Sequence, residues 1–178
     1  MKINFKKSTN YGFTLIELMV TLSVASILLS VAVPSYRSFV QDTLLITQSN
    51  SFYSALALAK GEAIKRNALV RLCPSTTGTS CVDGGIWSNG WIIFVDSNSN
   101  RTVDAAEQIL QVTPAFTGGN TIIATNSGMI TFRQDGFSPG SAGTYSVCDA
   151  RGSDYSKSIV LSQQGRFRSE TGITGSCS

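Results

Sequence analysis

Hydrophobic positions fall into three regimes along the chain. Phe13 to Val33, FTLIELMVTLSVASILLSVAV, is a run of 21 residues with Glu17 as its single charge, and about 20 apolar residues suffice to cross a bilayer as an α-helix. After Pro34 the run gives way to a spacing: Phe52, Leu56, Ala59 and Ala63, with either Leu58 or Ile64, recur at helical period. Ser35, Arg37, Gln41, Asp42, Gln48, Lys60, Glu62 and Lys65 fall largely elsewhere. Residues 35–67 hold no Gly before Gly61 and no further Pro, so the helix is predicted to continue to about Asn67 and lay one stripe on a folded domain. From residue 68 onward the pattern changes to short runs rich in Val, Ile, Phe, Tyr and Thr, broken by Gly, Ser, Asn and Asp. These predict strands at Leu69–Cys73, Trp91–Val95, Gln108–Val112, Thr121–Thr125, Met129–Arg133, Thr144–Cys148 and Ser158–Ser162. Asn126-Ser127-Gly128 suits a hairpin turn between two of them. The expected class is α+β: a long N-terminal helix, half transmembrane and half amphipathic, packed on a C-terminal antiparallel β domain.

Charge orients this arrangement. Lys2, Lys6 and Lys7 precede the apolar run, and an excess of Lys and Arg favours leaving that end in the cytoplasm and exporting the rest. A cleaved secretory signal is the competing reading, but it wants a shorter apolar region and an A-x-A-like site, which Ser-Val-Ala-Val-Pro does not supply. The whole chain, 178 residues with net charge +3, holds one ordinary domain besides the helix and no global attraction for polyanions. It contains no His, which removes the commonest metal ligand and the commonest neutral-pH acid/base. No nucleophile, base and oxyanion donors can be grouped, so no enzyme is expected.

Glu17 stands out, because a carboxylate within hydrocarbon costs on the order of 2.5–3.5 kcal/mol on the lenient insertion scale. One reading lets it reach the interface, five residues after Gly12. The run Gly12-Phe13-Thr14-Leu15-Ile16-Glu17-Leu18-Met19 resembles the cleavage and methylation signature of type IV prepilins and type II secretion pseudopilins. That resemblance implies a leader of residues 1–12 cut by a prepilin peptidase between Gly12 and Phe13, N-methylation of Phe13, and packing of residues 13–34 against other pilins in a filament. It further implies that Glu17 pairs with a neighbouring subunit's new amino terminus, which would offset its burial cost, and that Pro34 is the family's helix-bending proline. Residues 35–178 then form the soluble domain, with 35–67 the amphipathic half of the helix and 68–178 the β-rich part.

Cys73, Cys81, Cys148 and Cys177 all lie on the exported side, where thiols oxidise. Three pairings are open. Cys73 with Cys81 closes a short Ser/Thr/Gly loop, and Cys148 with Cys177 pins the tail to a strand; that arrangement is favoured. Asp96, Asn98, Asn100, Asp104 and Glu107 occupy positions 1, 3, 5, 9 and 12 of an EF-hand-like calcium loop. Arg101, however, stands where the turn needs Gly, and the flanks look like strands. The expectation is therefore no metal and no cofactor, with a turn held by local Asn and Asp hydrogen bonds; calcium on those five residues is the lesser alternative. Trp91, Phe94, Asp96, Asn98, Asn100 and Glu107 together also resemble a stretch common in the GspH/FimT branch of minor pilins, in which Gly usually stands at the position of Arg101.

The remaining chemistry lies near the C-terminus. Gly165-Arg166-Phe167-Arg168 places two guanidinium groups two residues apart, so an extended chain points both to one face and Phe167 to the other. Forked donors on one face can grip successive phosphates, with Gly165 allowing a bend or a close backbone approach. Residues from 151 on carry four basic against two acidic groups, whereas residues 83–107 carry one basic against four acidic. Taken bare, exposed strand arginines usually serve as a solvated edge that discourages aggregation. Gly165-Arg166-x-Arg168 resembles the G-R-x-R motif of FimT-type minor pilins that bind DNA in natural transformation. The resemblance implies weak, sequence-independent binding of extracellular DNA through Arg166 and Arg168. Lys157, Arg151, Gln163 and Gln164 are secondary candidates, and Arg133 a weaker one. The rival expectations are a structural tip component of a pilus or secretion pseudopilus that binds no DNA, and an adhesin for a glycan or surface.

Overall fold

The computed structural model describes residues 12–126, 128–172 and 177. The leader lysines and Ser127 lie outside the described residues. Residues Met1–Val40 and Gln41–Ser178 form two compact units, and one helix, α1 (Leu15–Arg66), contributes to both.

In the first unit, Thr14 caps the helix: the Glu17 N–H donates to Thr14 Oγ1 at 3.2 Å. Glu17 thus sits in the first turn, where the helix macrodipole favours a carboxylate. Every residue from Gly12 to Val40 is exposed, and the segment is long and apolar enough to cross a membrane. The hydroxyls of Thr21, Ser23, Ser26 and Ser30 each donate to the backbone carbonyl three residues earlier, which satisfies donors that hydrocarbon could not. α1 stays helical through Pro34, whose missing N–H leaves the Ser30 carbonyl without its usual donor.

In the second unit, α1 buries Leu45, Gln48, Ser49, Phe52, Ala55, Leu56, Ala59 and Ala63. The expected stripe is present, but neither Leu58 nor Ile64 joins it; both are exposed. Gln48, placed by sequence among the solvent-facing residues, is instead buried. Its side chain donates to the Thr117 carbonyl at 2.9 Å and accepts from Asn120 Nδ2 at 2.7 Å, so a polar group enters the interface with both its nitrogen and its oxygen bonded. The helix ends as expected: Asn67 takes φ 51°, with Ala68 N–H on the Ala63 carbonyl and Asn67 N–H on that of Ile64, the paired bonds of a left-handed helix stop.

Eight strands among the described residues, β1 (Leu69–Pro74), β2 (Gly90–Asp96), β3 (Ile109–Pro114), β4 (Thr121–Ala124), β5 (Ile130–Phe132), β6 (Gly143–Cys148), β7 (Lys157–Leu161) and β8 (Phe167–Thr171), make two four-stranded sheets, ordered β3-β2-β1-β5 and β4-β6-β7-β8. All pairs are antiparallel. The strand β8 has Phe167 as its single large apolar residue and escapes a hydrophobicity pattern. Asn126 to Gly128 is not a hairpin turn, because β4 pairs with β6 while β5 pairs with β1. Asn126 instead steers the chain between sheets: its amide donates to the Gly140 and Ala142 carbonyls, and its oxygen accepts from Gly128 N–H.

Both sheets and the helix meet in one core. Phe52 lies 5.4 Å from Trp87, 5.3 Å from Trp91 and 5.2 Å from Tyr145, ring centre to ring centre. Trp91 belongs to the first sheet and Tyr145 to the second. A smaller cluster of Cys73, Ile92 and Phe94 packs with Cys81, Val103, Ile109 and Met129. The disulfides are Cys73–Cys81 and Cys148–Cys177, the favoured pairing. Phe52→Ala is expected to cost about 3–5 kcal/mol, against less than about 0.5 kcal/mol for a surface change such as Leu58→Ala. Urea denaturation followed by the fluorescence of Trp87 and Trp91 measures both.

Candidate functional site

The β7–β8 hairpin carries the arginines. Its loop, Ser162 to Arg166, is closed by Gly165 N–H on the Ser162 carbonyl at 2.9 Å and by Ser162 N–H on the Arg166 carbonyl at 2.9 Å. Gly165 has φ 68°, a conformation that strains any residue with a β-carbon. A β-carbon there would also lie 2.0 Å from the Gly136 carbonyl oxygen. Both properties expected of this glycine, the bend and the close approach, are therefore used, and what approaches is the protein's own backbone. Ser138 N–H donates to the Gln163 carbonyl at 2.8 Å, and Lys60 Nζ donates to the Gly165 carbonyl at 2.9 Å. The loop is thus clamped by the turn after β5 and by α1. Sequence reasoning placed Lys60 only among the polar residues off the helix stripe and passed over Gly136, for which the one signal was the Asp135-Gly136 turn dipeptide.

Register decides which candidates share a face. Val160 stands opposite Arg168, and Leu161 opposite Phe167. Directly opposed residues point to the same side, and alternate residues to opposite sides. Leu161 and Ile159 are in the core, so Phe167 faces inward, where its ring meets Tyr53 at 4.8 Å. Arg166 and Arg168 face outward with Val160 and Ser162, around an open depression of about 410 Å³. Arg166 also reaches the rim of a groove of about 510 Å³ bounded by Tyr53, Ala57, Lys60, Gly61 and Ile64 of α1.

The electrostatics of the two arginines differ. Arg168 Nε donates to Glu170 Oε1 at 2.5 Å, an exposed pair worth about 0–1 kcal/mol. Arg166 has no acidic partner among the described residues. Gln163 and Gln164 are exposed at the loop.

Lys157 does not join this face. It shares the parity of Ile159 and Leu161, stands opposite Thr171, and borders depressions beside Ile46 and Asp42 of α1. Arg151 is also elsewhere and is occupied. It pairs with Asp149 at 2.6 Å and Asp42 at 2.8 Å, and its guanidinium lies 4.2 Å from the Tyr155 ring centre. Hydrogen bonding to Asp149 first, and then to Asp42, raises its pKa above the ordinary arginine value. With its side chain 17% exposed, it serves as a tie between α1 and the β domain. Arg133 lies in the clamping turn, half exposed, 3.4 Å from Asp135.

In the Asp96–Glu107 loop, Arg101 takes φ 66°, the left-handed conformation expected of Gly there. Asp104 Oδ2 accepts from Asn98 and Asn100 at 2.7 Å each. Glu107 accepts from Ser97 N–H at 2.8 Å and from Asp104 N–H at 3.2 Å. Asp96 is buried, bonded to Arg71 and to Arg101 N–H. Asp104 and Glu107 are thus supplied with donors by the chain itself, while Asp96 Oδ1 is buried without a hydrogen-bond partner; no group of three His, Cys, Asp or Glu among the described residues is arranged to hold a metal.

This helix-on-two-sheets fold has counterparts. A family model described as type II transport protein GspH matches residues 48–165, and one described as the prokaryotic N-terminal methylation motif matches residues 7–33. The chain belongs to the GspH family. This GspH-family chain is 34% identical over 101 residues to the pilin-like protein PilA1 of Thermus thermophilus, a match covering 56% of the chain and 57% of that relative. Its fold matches the type IV minor pilin FimU of Pseudomonas aeruginosa with TM-score 0.58 and 19% identity, over 74% of the chain and 92% of FimU. It also matches the minor pseudopilin EpsH from the type 2 secretion system of Vibrio cholerae, with TM-score 0.51 and 10% identity over 71% and 96%. The chain therefore joins a prokaryotic N-terminal methylation motif to a GspH-family domain with the fold of minor pilins and pseudopilins.

Gly165→Ala is expected to lower stability by about 1–3 kcal/mol. Gln164→Ala, one position earlier in the same loop, should change it by less than about 0.5 kcal/mol. Thermal melts of the two variants side by side test the clamp.

Proposed function

We propose that this GspH-family chain is a minor type IV pilin that binds extracellular DNA through Arg166 and Arg168, in support of DNA uptake during natural transformation. The observation that carries the reading is that both guanidinium groups border one outward depression while Arg166 has no acidic partner among the described residues. Phosphate oxygens can take two-pronged hydrogen bonds from each. The Arg168–Glu170 pair is exposed, so a phosphate competes with it at small cost. Gln163 and Gln164 supply neutral donors beside the same face. Few phosphates are reached, so binding is weak per subunit, indifferent to base sequence and salt-sensitive. Several subunits in one filament raise the avidity.

The same reading assigns the N-terminus. Gly12 and Phe13 precede the capped start of α1, which leaves the Gly12–Phe13 bond outside the helix for cleavage. Glu17 in the first turn is then available to a neighbouring subunit's amino terminus, with the helix in the inner membrane before assembly and the domain on the periplasmic side. A second reading, a structural minor pilin or secretion pseudopilin without DNA affinity, is favoured by the fold match to EpsH.

Anisotropy titrations of the full chain in a non-ionic detergent against unrelated duplexes separate the two readings. Arg166→Gln and Arg168→Gln should each weaken binding equally for all sequences and reduce the log–log salt slope by about 0.9, Glu170→Gln should strengthen it, and Arg151→Gln should leave it unchanged. No salt-sensitive binding by the folded, oxidised chain leaves the structural reading. Glu17→Ala should reduce incorporation into filaments, measured by immunoblotting sheared filament fractions, with the domain's thermal melt unchanged; normal incorporation counts against the pairing role.

A further inference from the structure

The turn that clamps the arginine hairpin carries an aromatic side chain that is only half buried. Phe137 is 49% exposed, although burial is the usual fate of a phenyl side chain. Its backbone is held in place: Arg133 N–H donates to the Phe137 carbonyl at 2.9 Å, Gly136 N–H to the Arg133 carbonyl at 2.8 Å, and Phe137 N–H to Asp135 Oδ1 at 3.0 Å. The turn is fixed in turn to the arginine hairpin by Ser138 N–H on the Gln163 carbonyl. A β-carbon placed on Gly165 would lie 3.5 Å from Phe137 Cα, so the ring is rooted beside the residue that immediately precedes Arg166. The carboxylate of this turn, Asp135, is offset by Arg133 at 3.4 Å and leaves Arg166 uncompensated.

We propose that Phe137 and Arg166 together form a single-strand site, in which the guanidinium holds a phosphate and the ring stacks on an unpaired base. The proposal rests on the DNA-binding reading and deepens it by naming the form of DNA. Stacking on an aromatic ring requires a free base face, which single strands offer and an intact duplex keeps within its own stack; every base has such a face, so the site tolerates all sequences. A rigid turn favours the contact because little ordering remains to be done on binding. Frayed ends and single-stranded stretches would then be the preferred points of engagement.

The test compares labelled oligothymidylate with a duplex of equal length, titrated by anisotropy against the full chain in non-ionic detergent, with circular dichroism confirming the fold of each variant. Phe137→Ala should weaken single-strand binding by about 5- to 150-fold and change duplex binding by less than about twofold. Phe137→Trp should retain the single-strand affinity, and Arg166→Gln should weaken both. If wild type binds duplex and Phe137→Ala binds both forms as wild type does, the stacking site is overturned while the DNA reading stands. Equal losses on both forms also overturn it. If wild type binds neither form, the DNA reading itself fails. Should Phe137→Ala reduce filament incorporation while leaving single-strand affinity intact, the ring is a contact for a neighbouring pilin and the proposal is overturned.

Discussion

The β domain depends on burial of one helix face against two sheets at once, and Phe52 is where the three layers meet. Its ring touches Trp87, Trp91 and Tyr145, so the first sheet, the second sheet and α1 share one aromatic junction. Edge-on contacts among such rings add to the large apolar area they bury. Small residues on the same face, Ala55, Ala59 and Ala63, are fully buried alongside Phe52. Burial pushes the Tyr145 phenol well above its ordinary pKa, which keeps the hydroxyl neutral in the core. Ties at the margins fix the helix further: Gln48 to Thr117 and Asn120, Asp42 to Arg151, and Lys60 to the Gly165 carbonyl.

That last tie carries the packing through to function. The hairpin loop presses its glycine onto the Gly136 backbone and is bonded at Gln163 and Gly165. The inward residues of β7 and β8, Ile159, Leu161 and Phe167, belong to or pack against the core. Antiparallel alternation then leaves no choice for Arg166 and Arg168, which must face solvent on one side. A site made from two flexible side chains acquires its orientation from the core beneath it, and the same clamp sets Phe137 beside it. The charges elsewhere are mostly consumed internally: Arg71 by Asp96, Arg151 by Asp149 and Asp42, Arg66 by Glu62. Arg166, in the loop before β8, has no acidic partner among the described residues and borders the same depression as Arg168.

Much was legible because periodicity and local chemistry carry it. The apolar run, the helix stop at Asn67 and seven of the eight strands among the described residues follow from spacing and from turn-forming residues, whereas the sequence only favoured one of three cysteine pairings, which the structure shows. The Arg101 turn was legible in part: its side chain argued against a calcium loop, yet its backbone takes the glycine-like conformation all the same. The misreadings share one cause. Gln48, Leu58 and Ile64 were sorted by polarity, whereas their fate was set by which acceptors and surfaces lie across the helix. Asn126 to Gly128 carried a sound turn signal, but the strands on either side found partners distant in sequence. Lys157 and Arg151 were grouped with Arg166 by charge alone.

The sequence by itself determined the helix with a half long and apolar enough to cross a membrane, its first-turn carboxylate, the α+β order of elements and the paired arginines after Gly165, because each depends on residues within a few positions of one another. Only the tertiary structure decided which cations are free, since pairing with an acid depends on neighbours brought together by folding. It also decided that Lys157 turns away from Arg166, because strand parity acquires an inside and an outside only when one face is packed. And it set Phe137, nearly thirty residues earlier in the chain, against the arginine hairpin, because two glycine backbones can approach where side chains would have kept them apart.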